Sequence, residues 1–356
     1  MQIIFRYIYI SLFLFTTMYA AQITDNIRLQ GFFTGDATYS DTDNIPTFLP
    51  NGKKENLRDG LNYNHTLFGL QLEVDATDDL SFAVQGVLTR SAQDEDYLPN
   101  LEWAYLAYDF GSDFNLKIGR MKVPFLKGIE LRYIGYSRLW TRPQIPSSGL
   151  NGFDEYDGAD LLYNTYAGDF DLEFELSAGV ANHTKESIED NYLVLLAAQV
   201  DYDRSWIRAA IGYNNYNLPR MKNNDMAFAS IETEINLDNF VFNAGYTYTY
   251  TDIIPNDRLL YTSLGYHFGD FTPYILYNRK SLYFPTTPPP PRPGAAPKPA
   301  SIELEQDHSV GLRYDIIENV DLKLQYNYKT LAAPSSLKAL ENDNVNIYTF
   351  AIDWVF

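Results

Sequence analysis

Along most of the chain, apolar and polar residues alternate one for one in segments of about ten, the period of a strand with one apolar face. In residues 66–76, Phe68, Leu70, Leu72 and Val74 fall on one side, and Gly69, Gln71, Glu73 and Asp75 on the other. Leu80, Phe82, Val84 and Leu88 repeat this against Ser81, Gln85 and Thr89, as do Phe170, Leu172, Phe174 and Leu176 against Asp171, Glu173, Glu175 and Ser177. The same holds for Val320, Leu322, Leu324 and Tyr326 against Asp321, Lys323, Gln325 and Asn327. A soluble sandwich would show this alternation too, so the connections have to decide.

Strands are predicted near 27–39, 66–76, 80–90, 101–110, 114–121, 157–167, 170–182, 192–202, 206–214, 225–237, 240–251, 259–268, 271–280, 307–316, 320–330 and 343–356, sixteen in all. Every second connection is two or three residues of turn chemistry: Thr77-Asp78-Asp79, Gly111-Ser112-Asp113, Gly168-Asp169, Asp203-Arg204-Ser205, Asp238-Asn239, Gly269-Asp270 and Ile317-Glu318-Asn319. Asp, Asn and Gly tolerate the positive φ that tight hairpins demand. The intervening connections are longer and irregular: 40–65, 91–100, 122–156, 183–191, 215–224, 252–258, 281–306 and 331–342. Short turns at one end and long loops at the other describe an all-β, closed antiparallel transmembrane barrel. A sheet in lipid must close, because hydrocarbon cannot satisfy the amides of an open edge.

Composition fits that picture. No long apolar run follows residue 20, which excludes a bundle of spanning helices. Yet Tyr and Phe number 29 and 22, heavy for a chain with 21 % charged residues. Aromatics near strand ends (Tyr105, Tyr108, Phe110, Phe114; Tyr246, Tyr248, Tyr250; Tyr266, Phe268, Phe271) are expected to form the two interfacial girdles. Residues 1–20, with one base (Arg6), an apolar stretch from Tyr7 to Phe15 and a Thr-rich end before Ala20-Ala21, are predicted to be a secretory signal peptide, an uncleaved anchor being the alternative. The barrel domain would then be 21–356. The formal net charge of −19 argues against nucleic acid, and the absence of Cys removes disulfides and thiolate chemistry. The four His are scattered, so neither a metal site nor a cofactor is expected.

The last strand, Ile347-Tyr348-Thr349-Phe350-Ala351-Ile352-Asp353-Trp354-Val355-Phe356, places aromatic or apolar residues at every second position and ends on Phe356. In this, and in its strand count, the chain resembles the sixteen-stranded outer-membrane porins of Gram-negative bacteria. The resemblance covers the whole mature chain by architecture but few residues by motif. It implies outer-membrane localisation, passive diffusion of small hydrophilic solutes and ions, contact with lipid and lipopolysaccharide, a homotrimer, and a terminal aromatic strand read by the outer-membrane assembly machinery. Porins fold the third long loop into the bore, and here the connection 122–156 holds that ordinal place. It carries five bases before residue 149 (Lys122, Lys127, Arg132, Arg138, Arg142) against one acid, Glu130, with Asp154 and Glu155 at its end. The acidic Pro-Glu-Phe-Gly pattern of the enterobacterial general porins is missing.

Two readings of those bases stay open. Cations in a narrow aqueous constriction favour anions, which would give a mild anion preference. Alternatively they pair with lumenal acids such as Glu73, Asp75, Glu173, Glu175, Glu232 and Glu234 and pin the loop to the wall. Arg28, Lys117, Arg208, Arg313 and Lys323 are further lumen-lining candidates. The Pro-rich stretch 285–299 within the loop 281–306 is read as a stiff external connection, with partner recruitment the alternative. An outer-membrane enzyme would need a nucleophile or activated water beside a base, which the sequence does not display. A receptor or adhesin would carry a large external insert, and no loop exceeds about thirty-five residues, short for a separate domain.

Overall fold

The computed structural model describes residues 21–43, 45–48, 54–90, 97–142, 155–182, 189–218, 221–252, 256–284, 300–331 and 344–356. Sixteen antiparallel strands make the wall: β1 Ile27–Ser40, β2 Leu67–Asp75, β3 Leu80–Arg90, β4 Tyr97–Phe110, β5 Phe114–Lys122, β6 Glu155–Ala167, β7 Phe170–Asn182 and β8 Glu189–Tyr202; then β9 Ser205–Leu218, β10 Met221–Leu237, β11 Phe240–Thr251, β12 Asn256–Tyr266, β13 Phe271–Phe284, β14 Ala300–Ile317, β15 Val320–Leu331 and β16 Asn344–Val355. Each pairs with the next in sequence, and β16 pairs with β1 from Phe32↔Val355 to Ser40↔Ile347, so the sheet closes without an edge.

Closure is sealed at the last residue. Phe356 exchanges two backbone hydrogen bonds with Gly31, its amide donating to the Gly31 carbonyl (2.9 Å) and its carbonyl accepting from the Gly31 amide (2.7 Å). The Phe356 ring lies over Gly31, where a Cβ would come within 2.2 Å of it, so only glycine fits at this point of the seam.

The hairpin turns behave as their residues demand. Gly111, Asp203, Asp238, Gly269 and Asn319 all sit at φ between 50° and 69°, the left-handed region these residue types tolerate. Side chains alternate as expected. Ile118, Leu176, Leu196, Ile211, Ile275, Val310 and Leu324 are exposed on the outer face, where the barrel meets lipid. Beside the short turns runs a belt of ring pairs: Phe114–Tyr163 at 4.6 Å, Phe170–Tyr202 at 5.1 Å, Phe240–Tyr266 at 4.8 Å and Phe271–Tyr314 at 4.5 Å. Tyr105 does not belong to a girdle. Its neighbour in register is Gly119, one residue off the outward pair Leu106↔Ile118, and its ring faces the Lys117 ammonium.

Several strands run further outward than the alternation predicts. β9 and β10 reach Leu218 and Met221, and β14 starts at Ala300 rather than 307. Beyond the apolar layer both faces of a strand are wet, so the ladder continues while the pattern that marked it fades; Asn215 donating to Asp225 at 2.7 Å is one such polar rung. The constriction-loop candidate accordingly shortens to 123–154, and the Pro-rich connection lies between Phe284 and Ala300. Residues 1–20, 285–299 and Asp154 lie outside the described residues. Two small additions were not foreseen: Ala21–Thr24 pairs back on Arg28 and Leu29, and a ribbon of Ile45–Phe48 with Lys54–Leu57 forms in the first long loop.

Candidate functional site

The segment after β5 turns into the bore and crosses it. Pro124 and Phe125 come first. The Pro124 carbonyl accepts from Arg208 on β9 (3.0 Å), and the Phe125 carbonyl accepts from the Ser230 hydroxyl on β10 (2.5 Å). The Phe125 ring meets Phe228 edge-on at 5.0 Å, within a buried apolar cluster that includes Leu193, Leu195, Ala197 and Ala210. Those inward apolar residues explain why the run Leu193–Ala198 lacks alternation: here the loop, not water, covers the inner wall. Lys127 follows, its amide donating to Glu232 (2.7 Å) and its ammonium sitting 3.4 Å from Asp201 and 4.4 Å from the Trp206 ring.

The chain then reaches the opposite side. Arg132 pairs with Glu102 on β4 (3.2 Å), and Tyr133 is fully buried against Phe32, Leu67 and Val87 of β1–β3. A short 3-10 turn, Gly135–Ser137, is held from below by Lys323, itself fully buried, whose ammonium donates to the Gly135 carbonyl and to Asp353, both at 2.7 Å. Asp321 lies 3.3 Å from the same ammonium and 3.1 Å from Arg313. Arg313 also donates to the carbonyls of Tyr136 (2.8 Å) and Arg138 (3.2 Å). Leu139 packs with Val241 and Tyr274. The Thr141 amide donates to Gln325 (3.1 Å), and Arg142 donates to the Thr38 hydroxyl (2.6 Å) with Asp36 at 3.9 Å.

The candidate residues therefore divide. Lys122 is buried and holds Glu102 and Glu155, each at 2.6 Å. Arg138 turns back onto the Arg132 carbonyl (2.9 Å). Arg208 bridges Glu175 and Glu173, and Arg28 bridges Glu73 (3.1 Å) and Asp75 (2.5 Å). Every base of the described loop except Arg138 has a carboxylate within 4 Å, and Arg138 has two backbone carbonyls. A buried ion pair is costly to break, because removing one partner strands the other charge, so this network works as a set of staples. Glu130, by contrast, is exposed, and Lys117 is only half-buried over the Tyr105 ring. The groups facing the lumen are chiefly Glu130, Glu173 and Asp201, with Lys117 and Lys127, plus the Arg28–Glu73–Asp75 triad at the short-turn end.

Sequence reasoning missed the wall partners Glu102, Asp36, Asp321 and Asp353, and the apolar anchors Phe125, Tyr133 and Leu139. Only the unbroken apolar run in β8 signalled an inner wall that is covered. His65 was also missed as part of this region. It is buried beside Asp36, which accepts its backbone amide (3.1 Å). Burial first, then the nearby Arg142 and Arg138, hold its imidazole pKa well below the usual value.

A sixteen-stranded closed wall, crossed by a stapled loop after its fifth strand, is the geometry of a restricted aqueous passage through lipid. The sequence model of the Gram-negative porins matches residues 10–333. The chain belongs to the Gram-negative porin family. This porin is accordingly an outer-membrane channel for passive diffusion. Among solved structures it is similar to the outer membrane channel DcaP of Acinetobacter baumannii, with 14 % identity over 95 % of this chain and 99 % of that one and a TM-score of 0.62. OmpF of Salmonella typhi, in complex with daunomycin, gives 14 % identity, coverage of 95 % and 100 %, and a TM-score of 0.62. An anion-selective porin from Comamonas acidovorans gives 12 %, 93 % and 99 %, and 0.59. At these identities the likeness carries the fold alone. No curated protein sequence matches the chain.

Proposed function

We propose that this porin passes small hydrophilic solutes and ions with little charge selection, through an aperture beside the loop tip that carries Lys127 and Glu130. The observation that supports this is the pairing of the loop's bases: cations committed to wall carboxylates leave a small net field for a passing ion. The charges on the lumen side, paired ones included, are of both signs, with Lys117 and Lys127 beside Glu130, Glu173, Asp201 and Glu234. A second reading, mild anion preference, draws support from the likeness to the anion-selective Comamonas porin and from the count of bases in the loop. Reversal potentials in a salt gradient across a planar bilayer separate the two. Values near zero support the stapled reading; a clear preference for chloride over potassium supports the other and refutes the first, and a clear preference for potassium refutes both. Lys117→Glu is expected to move the reversal potential toward cations, and Lys122→Gln to leave it in place wherever the barrel still folds.

Residues 1–20 act as the export signal, three copies assemble, the terminal strand ending in Phe356 engages the assembly machinery, and the outer rim contacts lipopolysaccharide.

A further inference from the structure

The inner wall turns apolar where a water-filled mouth would leave it wet. On β16, Val345 and Ile347 share a face with Thr349, Ala351 and Asp353, the last of which meets Lys323 inside the bore. On β15, Leu331 ends the inward row that holds Lys323, Gln325 and Asn327. All three apolar residues stand at the long-loop end, and all three are buried. Their cover is the ribbon of the first long loop. Ile45 and Leu57, opposite each other in the ribbon's register, are fully buried and complete one apolar cluster with Leu331, Val345 and Ile347. Such side chains gain nothing from an aqueous vestibule; they gain from a second layer laid upon them.

Both stems of the ribbon are fastened. Asp41 accepts from the backbone amide (3.0 Å) and the side-chain amide (2.6 Å) of Asn346 on β16. Asp43 accepts from the Asp59 amide (2.8 Å), and Asn62 donates to the Arg58 carbonyl (2.8 Å) while accepting from its amide (3.1 Å). Gly60–Asn62 then pairs with β1 from Thr38 to Ser40. These bonds make a fixed shelf rather than a swinging flap. Its seat begins at Ile347, two residues outward of Thr349, whose hydroxyl lies 3.1 Å from that of Thr38, the anchor of Arg142. Two residues are about 7 Å of strand, so the shelf sits just outside the far end of the stapled loop. Sixteen strands about 4.8 Å apart and tilted by about 40° enclose a bore roughly 30 Å across between backbones, and a sheet layer laid on the wall takes about 10 Å of it.

We propose that the ribbon is a size filter in series with the stapled loop, met first by solutes entering from outside, and that Ile45 and Leu57 are the positioning residues that hold it over the mouth. The inference rests on the reading of the barrel as an aqueous channel. It adds a selection by width at the outer entrance, whereas the mixed charges around the Lys127–Glu130 tip lie deeper in the bore.

The test measures, in planar bilayers, the drop in single-channel conductance when neutral polyethylene glycols of graded size are added to one side at a time. Sidedness is read from a biotin label on Ser112→Cys, exposed in a short turn and the sole thiol of that variant, which takes streptavidin from the periplasmic side. From outside, the unmodified porin is expected to shut out polymers that still enter its periplasmic mouth. I45D/L57D, which forces carboxylates into the apolar seat, is expected to raise the outer size limit by about half, the width the ribbon occupies, and to leave the periplasmic limit in place. Should that variant not reach the heat-modifiable folded form, the two-sided measurement on the unmodified porin decides together with thiol labelling. Ile347→Cys, under the ribbon, is expected to react with an impermeant maleimide at least roughly tenfold more slowly than Asn344→Cys, exposed on the same strand. Equal size limits from the two sides of the unmodified porin, an unchanged outer limit in folded I45D/L57D, or matched labelling rates at positions 347 and 344 would overturn the proposal. A protein that carries no current refutes the channel reading and the filter with it, while the labelling rates, taken in detergent, still report whether the ribbon covers the wall.

Discussion

Lys323 offers the sharpest perturbation of the stapled loop. Its ammonium is wholly buried and serves three partners, the Gly135 carbonyl and Asp353 at 2.7 Å and Asp321 at 3.3 Å. Lys323→Met keeps the stem and removes the charge. Asp321 then retains Arg313, while Asp353 is left with the Thr34 hydroxyl (2.5 Å), and the Gly135 carbonyl loses its donor. Breaking one side of a buried ion pair costs about 3–5 kcal/mol. Undocking the loop admits water to both carboxylates, so the lower figure applies, and about 3 kcal/mol moves the docked-to-undocked ratio roughly 100-fold. Single-channel recordings should then show frequent transitions between conductance levels at voltages where the unmodified porin is steady. K323M/D353N, which takes away the stranded carboxylate charge with the cation, should recover much of the steadiness. Recordings of K323M that match the unmodified porin in both level and noise would refute the claim that these charges hold the loop.

Other expectations follow the same reasoning. Gly135→Ala puts a Cβ within 1.7 Å of an Asp353 oxygen, so the turn must move, and its recordings should resemble those of K323M. His65 is kept neutral in the fold while the unfolded chain protonates near pH 6.5. Stability should therefore be intact above that pH and fall as the pH drops below it, by up to about 1.4 kcal/mol per pH unit until the buried ring itself protonates. Urea unfolding of liposome-bound porin from pH 7 to 5 should show this slope, flattened in His65→Gln; an unchanged slope would assign the acid sensitivity to other groups. Gly31→Val, which collides with the Phe356 ring, should slow insertion into liposomes severalfold by the folding gel shift, whereas Gly168→Asn, at a turn with nothing near its Cβ position, should leave it nearly unchanged.

What could be read in advance follows from where water is. Inside the lipid layer one face of each strand must be apolar, so Leu172, Phe174 and Leu176 announced their strand and its orientation, and Asp203, Asp238 and Asn319 announced the hairpins. Above the layer that contrast vanishes, which is why the outer ends of β9, β10 and β14 were underestimated. The inward course of the loop followed from its ordinal place and its charge, and Lys127, Arg132 and Arg142 do meet the wall. Their partners could not be read, because Glu102 and Asp353 lie far away in sequence and nothing local distinguishes an acid that meets a loop from one that meets water. Phe125, Tyr133 and Leu139 were hidden for a related reason: a lone apolar residue in a loop has no periodicity to betray its burial.

The loop's attachments land on β1–β4 and on β8–β16, nearly the whole circumference. Such a span works as a tie-beam as much as a filter, resisting ovalisation when the surrounding bilayer squeezes from the side. Excising residues 123–142 should therefore yield a cylinder that is floppier as well as wider, and engineers who want a larger bore would do better to trim the Lys127–Glu130 tip and leave the fastenings at Gly135 and Thr141 in place.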